Sequence, residues 1–233
     1  MLMLAKTALQ RAQGAAAASG ITFVNSATAS DNTSGATYTL TLPGGLVQND
    51  IVVVINFDTE DSTPPGVPSG YTNIRTQSGG SVSFRAAYKF MSSSPDSSIT
   101  LERTSTPFVY PSVAIAFIFR GVNTITPLDV SATGDDSFTG APDAPAITPT
   151  SNNCCIIAGG ALRDPSTTVG TPLNYSVPVT VASSGAAVDV VATACYRVLI
   201  GGAAVSEDPA PFTGWSPGSK DWATFTIALR PVP

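Results

Sequence analysis

The groups able to do chemistry in this chain are few: 16 Asp and Glu, three Cys, three Lys and no His. Without an imidazole the commonest general base, the Ser-His and Cys-His nucleophile pairs and most zinc sites are unavailable. No G-x-S-x-G elbow, P-loop, dinucleotide fingerprint or zinc-ligand spacing occurs. The densest acidic run, Asp58-Thr59-Glu60-Asp61, offers the oxygen ligands that Ca²⁺ takes. It lacks the spaced Asp, Asn and Gly of an EF-hand loop and reads as a solvated loop, as do Asp135-Asp136 and Glu207-Asp208. Glycoside hydrolysis needs two carboxyls facing each other across a cleft, and no pair stands out. The expectation is a protein that is not an enzyme and uses no metal or cofactor.

Aromatic residues in turn-like surroundings are the better candidates for contact. Phe108 and Tyr110 lie between Pro107 and Pro111, and Trp215 sits in Thr213-Gly214-Trp215-Ser216-Pro217. On rigid loops such side chains stack on sugar faces, anchor a protein interface or close the end of a β-structure. Trp222 shares the parity of Thr224 rather than Phe225, which leaves an outward, interface-facing position open. The three cysteines stand in the apolar contexts Cys154-Cys155-Ile156-Ile157 and Ala194-Cys195-Tyr196 and read as small buried hydrophobes, consistent with folding in a reducing cytoplasm.

The elements that position these residues follow from composition and period. Only 12% of the 233 residues are charged, while Gly and Pro number 20 and 19, so the chain suits many strands and many turns. A net charge of −5, with no basic run, argues against nucleic acid as a partner. No stretch has the apolar length needed to span a bilayer as a helix. Val113, Ile115, Phe117 and Phe119 alternate with Ser112, Ala114, Ala116, Ile118 and Arg120, and similar alternation runs through 84–90, 190–198 and 224–230. The apolar runs Ile51 to Phe57 and Cys154 to Ala158 suit strands buried on both faces. Pro43-Gly44-Gly45, Pro68-Ser69-Gly70 and Ser183-Ser184-Gly185 are among the turns between them.

Resemblances recur in order along the chain. Asn49-Asp50-Ile51-Val52 answers Asn152-Asn153-Cys154-Cys155, Gly70-Tyr71 answers Asn174-Tyr175, Tyr88-Lys89 answers Tyr196-Arg197, and Phe117 to Arg120 answers Ile227 to Arg230. The predicted fold is all-β: a jelly-roll-like β-sandwich over 21–233, built from pseudo-repeats at about 21–133 and 134–233. Residues 1–20 form a separate helical or extended arm. Leu2, Ala5, Leu9 and Ala12 share one face at helical spacing, and Lys6 and Arg11 interrupt the apolar run that a secretory signal would need. The arm is expected to serve assembly.

Ile21-Thr22-Phe23-Val24, Asn49-Asp50-Ile51-Val52-Val53, Pro68-Ser69-Gly70-Tyr71-Thr72, Tyr88-Lys89, Phe119-Arg120-Gly121-Val122 and Ala228-Leu229-Arg230-Pro231 resemble β-sandwich proteins encoded in the structural gene clusters of tailed bacteriophages. The resemblance covers most of residues 21 to 233 and is a pattern of strand ends and turns. It implies a virion surface component, a head decoration or a part of a tail or fibre. Such a protein would be a homo-oligomer in contact with other virion proteins, with no active-site residues to carry over. The alternative is a lectin-like module that recognises a host-surface glycan through Trp215 and Tyr110.

Overall fold

The computed structural model describes residues 20–33, 35–59, 63–103, 110–163, 170, 172–184, 189–214 and 220–233. Leu2, Ala5, Leu9, Ala12, Phe108 and Trp215 lie outside the described residues, so the expectations placed on them concern the sequence alone.

The described residues form twelve strands and no helix. These are β1 (Thr22–Asp31), β2 (Thr37–Thr41), β3 (Ile51–Thr59), β4 (Thr72–Gly79), β5 (Val82–Phe90), β6 (Ser98–Glu102), β7 (Ser112–Arg120), β8 (Thr133–Ser137), β9 (Cys155–Leu162), β10 (Val179–Ser184), β11 (Asp189–Val198) and β12 (Trp222–Leu229). One five-stranded sheet has the order β1-β7-β3-β5-β4, the other β8-β12-β9-β11-β10, and β2 pairs with β6 in a separate ribbon. Every ladder is antiparallel. The chain completes the first sheet before starting the second, so strands do not pass back and forth between sheets as they do in a jelly roll.

The inner faces of the two sheets meet in one sandwich-like core. Phe225 of the second sheet packs 5.6 Å from Phe84 and 6.3 Å from Phe57 of the first, and Tyr196 lies 5.4 Å from Phe119, ring centre to ring centre. Phe117, Ile115 and Val113 of β7 and Ile157 and Cys155 of β9 belong to the same cluster. Alternation therefore places the inner face as the sequence predicts. The outer faces are buried too: β12 is covered along its whole length, Thr224 and Thr226 included. Trp222 does point to the outer face, but it is 5% exposed, donates its indole N–H to the Thr139 carbonyl at 3.2 Å and packs with Phe212 and Ala144. Its own chain covers it, which removes it as an interface residue.

Register sets the spacing between the two central strands. Ile51 lies opposite both Phe119 and Phe90, and Cys155 opposite both Leu229 and Val198, so like positions of β3 and β9 are 104 residues apart, where the sequence match spaces them by 103. A slip of one residue would exchange inner and outer faces. The positive φ of Asn49 (70°) and Asn153 (60°), each just before such a strand, marks the same offset.

Asp58 corrects the reading of the acidic run. It is fully buried at the end of β3 and accepts a hydrogen bond from the Ser112 hydroxyl at 2.8 Å. Ser112 accepts in turn from Arg103 Nε at 3.1 Å, and Arg103 Nη1 pairs with Asp31 at 2.9 Å. A buried carboxylate persists when such partners replace its water. Asp58 thus belongs to a network that ties the edge of the first sheet together, and not to a solvated loop.

Candidate functional site

Two concavities sit at corresponding places in the two sheets, each beginning at a turn that leads into an edge strand. In the first, Tyr71 N–H donates to the Pro68 carbonyl at 3.0 Å across Gly70, whose φ is 78°. In the second, Tyr175 N–H donates to the Pro172 carbonyl at 3.3 Å across Asn174, with φ 68°. A turn of type II form needs φ above zero at its third residue, which Gly and Asn tolerate best. Both turns bring a tyrosine beside a cation near the end of the neighbouring strand, Lys89 on β5 and Arg197 on β11.

The first concavity is lined by Pro68, Ser69, Tyr71, Lys89, Asp96, Ser98, Ile99 and Thr100 and measures about 270 Å³. Lys89 Nζ pairs with Asp96 at 2.6 Å and lies 5.8 Å from the centre of the Tyr71 ring. Tyr71 Oη is shut off from solvent and has no hydrogen-bond partner among the described residues. Burial, and then the charge of Asp96, push the Tyr71 phenol well above its ordinary range, so it stays protonated.

The second concavity, about 630 Å³, is wide open and lined by Asn174, Tyr175, Ser176, Tyr196, Arg197, Val198 and Ile200. Glu207 stands where Asp96 stands in the first. Its Oε1 accepts from Arg197 Nη1 at 2.7 Å and from Tyr175 Oη at 3.1 Å. Here too burial, then the charge of Glu207, raise the phenol pKa. The longer Glu side chain reaches both partners, whereas Asp96 reaches the cation alone.

The rims differ more than the floors. Leu173, Val177 and Ile200 are 80%, 84% and 100% exposed. The residues at the corresponding positions of the first sheet are Ser69, Asn73 and Ser92. Phe23, at the start of β1, stacks on Tyr196 with ring centres 4.7 Å apart and planes 21° apart. A surface of this kind can hold an apolar segment, while the first concavity, edged by hydroxyls and one closed ion pair, suits a polar molecule.

Of the three loop aromatics proposed from sequence as contact residues, Phe108, Tyr110 and Trp215, only Tyr110 is described. It is half-buried ahead of β7, and its carbonyl accepts a hydrogen bond from Arg103 Nη2. It lines neither concavity. The residues that do were visible only as repeat signals, Gly70-Tyr71 with Asn174-Tyr175 and Tyr88-Lys89 with Tyr196-Arg197. What was missing was the acid partner, which a connecting segment supplies at a spacing that differs between the two sheets. Among the described residues no group of three His, Cys, Asp or Glu side chains is placed to hold a metal ion, and no helix is long and apolar enough to cross a membrane. All three cysteines are buried and unpaired; burial pushes the Cys154 and Cys195 thiols to about 12 and Cys155 well above its usual range. Comparison of the chain with protein-family models, with curated proteins and with solved structures gave no match.

Proposed function

We propose that the chain is a non-enzymatic structural protein of a tailed-bacteriophage virion, displayed on the particle as a head decoration or a tail or fibre component and working through protein–protein contacts. The body is a duplicated β-sandwich, with one pseudo-repeat in each sheet, and residues 1–20 are its attachment arm. The strand order common to both sheets and the residues that carry the resemblance support this reading. The observation that carries it is the exposure of Ile200, which lines the second concavity, together with that of Leu173 and Val177, which flank its lining residues Asn174 to Ser176, while Phe23 near the start of the described chain stacks on the lining residue Tyr196. Exposed apolar residues so grouped mark a contact surface, whereas scattered ones do not. Mass spectrometry of purified particles tests the reading. Wild-type protein should be present at a fixed copy number and a chain lacking residues 2–19 should be lost; absence of the wild-type chain, or full retention of the truncated one, would sink it.

The lectin-like alternative keeps one observation, the first concavity with Ser69, Lys89, Asp96, Ser98 and Thr100 as donors and acceptors for sugar hydroxyls. Glycan-array binding that disappears in Lys89→Ala would favour it over the structural reading. An array without any signal would leave it no support.

A further inference from the structure

We infer that residues 1–19 fold back onto the second concavity of their own chain and cover Leu173, Val177 and Ile200 with the apolar stripe of Leu2, Ala5, Leu9 and Ala12. This deepens the attachment reading, on which it rests for treating the arm as functional, by giving the arm a seat on the body.

Three observations converge on that seat. The first is exposure. Among the described residues eight large hydrophobics are exposed, and four of them, Phe23, Leu173, Val177 and Ile200, border or flank this one concavity. Ile200 is fully exposed, an unusual state for an isoleucine beside a buried strand. The second is position. Phe23 stacks on Tyr196, a lining residue, and Gly20 is three residues before it, at most about 10 Å of chain away. β1 runs away from this end, since Thr22 pairs with Arg120 and Asp31 with Ser112, and Gly20 lies against Gly121, just past Phe119, whose ring packs 5.4 Å from Tyr196. Nineteen residues span roughly 28 Å as a helix and more if extended, enough to cross a concavity of this size. The third is chemistry. The segment offers leucines and alanines to an apolar rim, and it carries Lys6 and Arg11 with no acid, while the rest of the chain holds all 16 acids against nine cations.

The same chain is favoured over a neighbouring copy because a tether this short holds the arm near its seat at an effective concentration of order millimolar. The outer face of the first sheet is already covered by the β2–β6 ribbon, and its rim at the corresponding place is polar, so the arm has no equivalent seat there. Docked in this way, arm and rim make one continuous face at one end of the body.

The test uses the full chain with Thr7→Cys, outside the apolar stripe, spin-labelled there because the native thiols are buried and protonated. The expected result is paramagnetic broadening of Val177, Val198 and Ile200 in dilute protein, with Phe138, on the β8 side of the second sheet, unaffected. In a mixture of isotope-labelled unmodified chain and unlabelled spin-labelled chain, no broadening should appear. Ile200→Asp, at a fully exposed site that leaves the fold intact, should abolish the effect. Broadening seen only in the mixture places the arm on another copy and overturns the inference, as does its absence from both samples or its survival in Ile200→Asp. If the arm docks as inferred but the truncated chain still enters particles at full copy number, the attachment reading fails and the seat stands. If truncation blocks incorporation without docking, the reverse holds.

Discussion

The two five-stranded sheets share a strand order but are covered differently. Outside the first lies the β2–β6 ribbon, whose Tyr38, Leu40, Ile99 and Leu101 pack on Val52, Val54, Ala116 and Ile118. Outside the second, the connections between β8 and β9 and between β11 and β12 meet at the Ile147–Glu207 bridge and again where Ala204 N–H donates to the Pro149 carbonyl and Asn153 N–H to the Gly201 carbonyl, and Phe212, Leu199 and Trp222 fill in. The central strands record the difference. Asn56 of β3 accepts from Tyr38 Oη at 2.6 Å and donates to the Glu102 carbonyl at 2.9 Å, which pins the ribbon. Its counterpart in β9 is Gly160, where an added Cβ would come within 2.5 Å of the Ala223 carbonyl. Shared inner faces fix the strands, and the covering layer is free to diverge. The molecule therefore varies in its outer connections, and the two concavities lie there.

Breaking this contrast should have graded effects. The largest belongs to Arg103, a buried cation of the first half that ties Asp31, Ser112 and Tyr110. Its replacement by Ala leaves the Asp31 carboxylate without its counter-charge, held among the described residues by Thr33 alone, and should cost about 3–5 kcal/mol in urea unfolding. A cost below about 1 kcal/mol would show that the network adds nothing to the first half. Next is Gly159 of β9, whose counterpart in β3 is Ile55. A Cβ at 159 would lie 2.6 Å from the Thr193 carbonyl and 2.8 Å from the Phe225 ring, so Gly159→Ala should destabilise by about 1–3 kcal/mol. A neutral result would mean that the second sheet has the same room as the first.

The tyrosine pair sharpens the comparison. Tyr175→Phe removes a hydroxyl bonded to Glu207 and should cost about 1 kcal/mol, whereas Tyr71→Phe removes a buried hydroxyl without a partner and should be neutral or stabilising. Equal losses in paired thermal melts would erase the distinction. The smallest effect is one of pH. Burial would raise the Asp129 carboxyl, but hydrogen bonds from Ser151, Thr150 and Arg230 outweigh it and bring it from 3.8 to about 2. A folded-state pKa below the unfolded one gives stability that is fully present above about pH 4 and lost as pH falls toward 2. Allowing for solvent screening of Arg230, whose side chain is 31% exposed, the contribution is about 1 kcal/mol. Asp129→Asn should flatten that part of the acid unfolding profile, and an unchanged profile would remove Asp129 from it.

The inner core was legible because β-strands alternate: Phe117 and Phe119, or Phe225 and Ile227, show their parity without knowledge of their partners. The burial of β3 and β9 on both faces was legible from continuous apolar runs. Trp222 and Asp58 were misjudged for a common reason, since what covers an outer face or surrounds a carboxylate comes from segments distant along the chain. The concavities were half visible. The Tyr-turn and the cation recur at near-constant spacing within strands, but Asp96 and Glu207 arrive on connections of different length, and Tyr110 turned out to lend its carbonyl to Arg103.

By itself the sequence determined an all-β chain, the inward parity of its strands, the turns that admit positive φ, and a chemistry poor in general bases, because these depend on each residue and its near neighbours. Only the tertiary structure decided which tyrosine finds a carboxylate, which outer face is sealed by a ribbon and which by loops, and that Phe23 meets Tyr196 at a concavity lined by the exposed Ile200. Those outcomes rest on contacts between residues far apart in the chain, and the physical terms that set them, burial and partner geometry, have no value until the sheets have met.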